Sequence, residues 1–165
     1  MFVPVQMPEI RDPFSLIGKE KLLISAGTPE DWNTMTASWG TMGVLWNKNV
    51  FSVVIRPQRH TYGFFEREEY FTVTVLPEGM EDAYRICGTK SGRDCDKAAL
   101  TGLKPCFVDG AVTFEQARLV FVCRKIYVQD ISPEGFVDKS IENHYPIKDY
   151  HRLYCGEIVS VLERR

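Results

Sequence analysis

The chain has 165 residues, 44% of them hydrophobic and 25% charged, which is the composition of one soluble globular domain that can bury a core without staples. Its formal net charge of −2 and pI near 5.9 give no general attraction to nucleic acid or an anionic membrane, so any anion site must be local. The five cysteines form no CxxC pair and no stretch approaches the ~20 apolar residues of a membrane span, so reduced thiols and a cytoplasmic location are expected.

Residues 1–20 carry three prolines and little periodicity. They read as an extended arm leading into a first strand near Lys21–Ala26, with Gly27-Thr28-Pro29 as the turn. From Asn33 to Trp39 the side chains alternate: Asn33, Met35, Ala37 and Trp39 share one face, and Thr34, Thr36 and Ser38 the other. Gly40 and Gly43 punctuate the next stretch, and Val50–Ile55 is a strand because Val and Ile dominate it. Arg56-Pro57 ends that strand, and Thr61 is placed to cap a short helix running to about Arg67.

Tyr70–Leu76 alternates again until Pro77 stops it. Met80, Ala83, Tyr84 and Cys87 then follow the spacing of a helix face, with Gly88 at its end. Ser91, three residues before Asp94, reads as the start of the short helix over DKAAL. Arg118–Gln129 and Tyr154–Leu162 are the last two predicted strands, separated by the turn-like NHYPIKDYH. Many short strands with a few short helices between them fit a small barrel, and no GxGxxG or GxxxxGK[ST] suggests a doubly wound nucleotide fold.

Three segments carry groups suited to a flat heteroaromatic ring bearing a phosphate. In NTMTASWG (33–40), backbone amides and the hydroxyls of Thr36 and Ser38 suit a polar ring edge, while Met35 or Trp39 supplies apolar surface and Ala37 leaves room. In RPQRHT (56–61), Arg59 and Thr61 are the leading phosphate donors; Arg56 is either a third donor or the partner of an acidic neighbour. In GTKSGRDCDK (88–97), Thr89, Lys90, Ser91 and Gly92 form a turn that lets backbone approach an anion, and Lys90 or Lys97 completes a positive pocket. His144, His151 and Cys155 match no zinc spacing, so no metal is expected.

Taken together and in this order, these segments and the terminal DYHRLYCGEI (149–158) resemble the flavin reductase family, most closely its flavoredoxin-like branch, from about Ile24 to Val161. The resemblance implies a mainly β fold, a split β-barrel of Greek-key type with short inserted helices, spanning 1–165 as one domain. It implies FMN as cofactor, NAD(P)H as electron donor, an acceptor not identified by sequence, and a homodimer. It also places His151 near the flavin and the nicotinamide side of the pocket. Two alternatives stay open: a non-enzymatic FMN-binding electron carrier or flavin store, and a related split barrel holding haem or a pyridoxal phosphate compound.

Overall fold

The computed structural model describes residues 1–8 and 10–164. Seven antiparallel strands form one continuous sheet in the order β3 (Trp32–Ala37), β2 (Leu22–Gly27), β6 (Tyr70–Val75), β9 (Leu119–Asp130), β10 (Arg152–Arg164), β5 (Lys48–Ile55), β4 (Gly40–Leu45). An eighth, β1 (Phe2–Pro4), pairs with the far end of β10. This is the mainly β split barrel that the sequence predicts. The strands that alternate in sequence are the ones that wrap the core: Leu22, Ile24, Phe51, Val73 and Phe121 point into one buried cluster.

β10 holds the two halves together. Its first residues pair with β5, its last with β1, and β9 lies along nearly its whole length. Register shifts between Cys155 and Gly156 and between Ile158 and Ser160 bend it, as one extra residue in an antiparallel pair does. A Cβ built on Gly156 would stand 2.6 Å from the Phe71 ring and 2.7 Å from Cys123 Cβ, so only glycine lets β10 lie this close. Glu157 beside it bridges Lys48 of β5 and Arg124 of β9, each at 2.8 Å. The Gly-Glu pair is thus accounted for by packing and cross-strand charge pairing.

The N-terminal arm is not simply extended. Besides β1 it contains a wide helical turn at Ser15–Lys19, closed by the Glu20 amide on the Ser15 carbonyl at 2.9 Å, because Leu16 and Ile17 are drawn into the core. β4 also differs from its expected role as a punctuating loop. Its glycines hid a strand that forms a hairpin with β5 through Trp46 and Asn47, both at positive φ, the geometry of a two-residue primed turn.

A second layer covers β6. The hairpin of β7 (Pro105–Val108) and β8 (Ala111–Phe114) lies over its hydroxyl face, where Thr72 Oγ1 donates to the Val112 carbonyl at 2.5 Å and Thr74 bonds Thr113 at 2.9 Å. Helix α2 (Glu81–Thr89) buries Ala83, Tyr84 and Cys87 against Leu23, Leu76 and Phe114, and runs one residue past Gly88. The caps differ from expectation. α1 (His60–Arg67) is preceded by Arg59, and Thr61 sits buried inside its first turn. α3 (Lys97–Thr101) is capped by Asp96, whose carboxylate accepts the Ala99 amide at 3.1 Å, while Ser91 organises an earlier turn by accepting from the Arg93 amide.

Candidate functional site

β3 leaves the sheet after Ala37, and Ser38 and Trp39 bridge to Gly40. At Gly40 the strands approach so closely that a Cβ would meet the Ser52 carbonyl oxygen at 2.7 Å. That close approach leaves Ser38 and Trp39 standing out at the rim of a cleft of about 190 Å³. Met35, Thr36, Ala37, Ser38, Trp39, Arg56, Arg59 and His151, eight of the residues expected from the sequence, line it together with Val54. The hydroxyl of Thr36 is not at the cleft. It donates to the Tyr84 carbonyl at 2.6 Å, because the Thr34/Thr36 side of β3 turns inward against β2 and α2. What Thr36 can give the cleft is its main chain.

Met35 and Arg59 also line a second cavity of about 300 Å³, so the two spaces adjoin across these residues. Thr61, Thr89, Lys90, Ser91 and Lys97 line the second space as expected, joined by Asn33, Gln58, His60, Cys87 and Arg93. Gly92 buttresses it from behind, where a Cβ would collide with Asn33 Oδ1 at 2.3 Å. That fixes the loop against β3.

The polar groups here are arranged as donors. Lys97 is buried; its ammonium gives two of its three hydrogens to the carbonyls of Thr34 at 2.7 Å and Cys87 at 3.0 Å, and burial lowers its pKa. Thr61 Oγ1 accepts from Asn33 Nδ2 at 2.9 Å, which leaves its own proton to donate. Arg93 is braced by the Gln58 carbonyl at 3.2 Å. The Thr89 hydroxyl is spent on the Arg85 carbonyl and offers the cavity an acceptor only. His60 is held toward its neutral form by burial first and then by Arg93 and Lys97. Among the described residues no carboxylate lines this cavity. Four cations without a lining carboxylate are the chemistry that suits an anion, and the donor set fits a phosphate.

On the opposite side of the cleft, Arg56 takes the second of its two expected roles. It pairs with Asp149 at 2.6 Å, donates to the His144 carbonyl at 2.9 Å and lies over the Tyr145 ring at 4.9 Å. It therefore fastens the 144–151 segment to the end of β5. His151, buried, packs its ring 5.3 Å from that of Trp39, and Nδ1 meets the Tyr145 hydroxyl at 2.8 Å. Burial above all, then Arg56 and Arg59, lowers its pKa to about 4, against the opposing pull of Asp149. The imidazole is neutral at physiological pH.

Sequence reasoning overlooked His60 and Arg93 although both lie inside the singled-out segments; counting every cation and imidazole in them would have found both. Asn33 and Gln58 lie in those segments too but are neutral and carry no such signal, and Tyr145 is brought in from outside them by tertiary contact.

Comparison with known proteins identifies the fold and the family. Among solved structures, the FMN-binding protein of Thermus thermophilus with bound 1-cyclohex-2-enone superposes with a TM-score of 0.68 at 22% identity, over 96% of this chain and 78% of that one. Flavoredoxin from Methanosarcina acetivorans gives 0.69 at 18% identity, over 98% and 77%. The NADH:FAD oxidoreductase of Streptomyces globisporus C-1027, in complex with NAD and FAD fragments, gives 0.66 at 15%, over 97% and 87%. No curated protein matches in sequence. The fold class is that of the split-barrel flavin reductases. The flavin reductase like domain model matches residues 15–165, and the chain belongs to that family. It is a flavin-related oxidoreductase domain.

Proposed function

We propose that the chain binds FMN and is an NAD(P)H-linked flavin reductase or flavoredoxin-like electron-transfer protein. The observation that carries this reading is the joining of a cleft edged by main chain and apolar side chains to an acid-free cavity lined by Arg59, Lys90, Arg93 and Lys97. Met35 to Trp39 would hold the ring of FMN, with backbone amides and the Ser38 hydroxyl available to its polar edge. Arg59, Ser91, Arg93 and Lys97 would hold its phosphate, with Thr61 as a hydroxyl donor. When bound, FMN supplies the redox chemistry, accepting a hydride and releasing electrons. The protein's share is to hold the ring, neutralise the phosphate and place the neutral His151 ring at the cleft wall, where a hydrogen bond can respond to charge gained by the ring.

The bound T. thermophilus and S. globisporus structures support a flavin cofactor and, in the second, a nicotinamide donor. The test is the visible spectrum of the purified protein and a titration with FMN at micromolar concentration. A yellow protein, or uptake with quenching of flavin fluorescence, is expected; no uptake would sink the assignment. Anaerobic addition of NADH or NADPH should then bleach the flavin absorbance. A flavin that stays oxidised points to the carrier reading instead.

A homodimer accompanies this function. Among the described residues β4 pairs on one side, with β5, and Val44, Leu45 and Trp46 near its turn are exposed together with Phe14 of the arm. A second copy of this chain is the partner that would cover such an edge. The cytoplasm is the compartment consistent with the sequence; no helix among the described residues is long and apolar enough to cross a membrane.

A further inference from the structure

Among the described residues the ring of His151 is held at one nitrogen, Nδ1. Tyr145, 94% buried, brings its hydroxyl to Nδ1 at 2.8 Å, and its own position is fixed from three sides. Phe136 stacks on it with centroids 6.0 Å apart, Tyr150 packs at 4.9 Å, and the Arg56 guanidinium covers its face at 4.9 Å. A phenol has one proton to give. Burial first raises the pKa of Tyr145, so the proton is there to be given. Among the described residues His151 Nδ1 is the acceptor within reach of that buried hydroxyl, whose proton would otherwise be left unpaired, and a neutral imidazole that accepts at Nδ1 carries its proton on Nε2.

We propose that Tyr145 is a positioning residue that fixes His151 as the Nε2–H tautomer, so that His151 offers the cleft a hydrogen-bond donor and not a base. The groups facing the imidazole agree with this assignment. Arg56 at the end of β5 and Arg59 before α1 are cations that disfavour a second proton; Asp149 is the acid that opposes them and is engaged by Arg56 and by Gln58 at 2.5 Å. Trp39 packs beside the imidazole, its ring tilted by 51° with centroids 5.3 Å apart. The proposal rests on the flavin reading for its consequence, but the tautomer itself does not need a flavin to be seen.

The experiment is a long-range proton–nitrogen correlation spectrum of the ¹⁵N-labelled protein at neutral pH, without added flavin. The chain has three histidines, and His151→Gln identifies which signals belong to position 151. The expected result is a protonated Nε2 with an acceptor-type Nδ1, displaced by its hydrogen bond. In Tyr145→Phe that Nδ1 signal should relax to the position of an unbonded nitrogen, whereas Phe136→Leu, which keeps the hydroxyl, should retain it. A parent spectrum with the proton on Nδ1, a doubly protonated ring, or an Nδ1 signal unchanged in Tyr145→Phe would each overturn the proposal. Should Tyr145→Phe fail to fold, the parent spectrum alone decides the tautomer.

In the FMN-loaded protein, Tyr145→Phe should slow anaerobic reduction by about twofold to tenfold, the worth of one neutral hydrogen bond, with little change in FMN affinity. A Tyr145→Phe variant that reduces as fast as its parent would overturn the positioning role. Failure to take up FMN, by contrast, would remove the flavin reading while leaving the nitrogen spectrum to be judged by itself.

Discussion

Arg56 and Arg59 stand three positions apart and differ in what they hold. Arg56 is committed to protein partners, Asp149 and the His144 carbonyl, whereas Arg59 makes only a long contact of 3.5 Å to the Gly88 carbonyl and keeps most of its donors for the junction of the two cavities. Replacing Arg59 by alanine should weaken FMN by roughly tenfold to a hundredfold while leaving riboflavin nearly unaffected, because a charge-assisted hydrogen bond to the phosphate is worth ~1.5–3 kcal/mol. Isothermal titration with the two ligands checks this, and equal losses would reassign Arg59 to the fold. His151 supplies a pH dependence. Its pKa falls from an ordinary 6.5 to about 4 on folding, so the unfolded chain takes up the proton first as the solution is acidified. This contribution is therefore complete above the unfolded value and erodes as pH falls from 6.5 toward 4. Between about pH 7.5 and about pH 4.5 it removes about 2–3 kcal/mol of stability, at ~1.4 kcal/mol per pH unit. Denaturant melts of His151→Gln should show a shallower acid loss by that amount; an identical slope would mean that other groups govern acid unfolding.

At the scale of elements, β10 shows why a motif need not be chemical. Gly156 lies where the strand bends beneath Phe71, and Glu157 joins the strands on either side of it. Gly156→Ala should cost about 1–3 kcal/mol, the usual range for overpacking, because the nearest obstacles are a buried ring and a Cβ that have little room to yield. A chemical denaturation curve with an unchanged midpoint would refute it. The strands recognisable in sequence, β2, β3, β5, β6, β9 and most of β10, are those whose apolar residues recur with a period of two or run continuously through the core. β4 was hidden for a physical reason: it is an edge strand with no fully buried residue, so selection for a core face leaves no imprint on GTMGVL. β7 and β8, four residues each, are too short for periodicity to register, and the Trp46-Asn47 turn lacks the glycine that usually marks primed geometry.

For the whole molecule the exposed edge is the feature with the largest consequence. Val44, 72% exposed, lies on a strand with a free hydrogen-bonding side, close to Trp46, 57% exposed, and away from both cavities of the candidate site. Light scattering should give the mass of two chains for the parent, and Val44→Lys should lower it toward one while circular dichroism stays unchanged, since lysine on an edge opposes pairing without disturbing a core. A monomeric parent would end the dimer proposal. Because the cleft proposed for FMN shares Ser38 and Trp39 with the groove lined by Phe14 and Met42, dissociation should also weaken FMN, which titration of the same variant measures.

Sequence by itself determined the β-rich class, the positions of the principal strands along the chain and the three segments that converge on the candidate site. These follow from local rules: side-chain alternation, turn chemistry and the kinds of donor a phosphate requires. The functional division within those segments was decided by tertiary structure. Thr36 and Thr89 lost their hydroxyl protons to carbonyls of the chain, Arg56 was taken by Asp149, and Asn33, His60, Arg93 and Tyr145 were brought in from the same or distant segments. A residue's type states which hydrogen bonds it can make. Only the folded chain determines which of them its neighbours have already taken and which remain for a ligand.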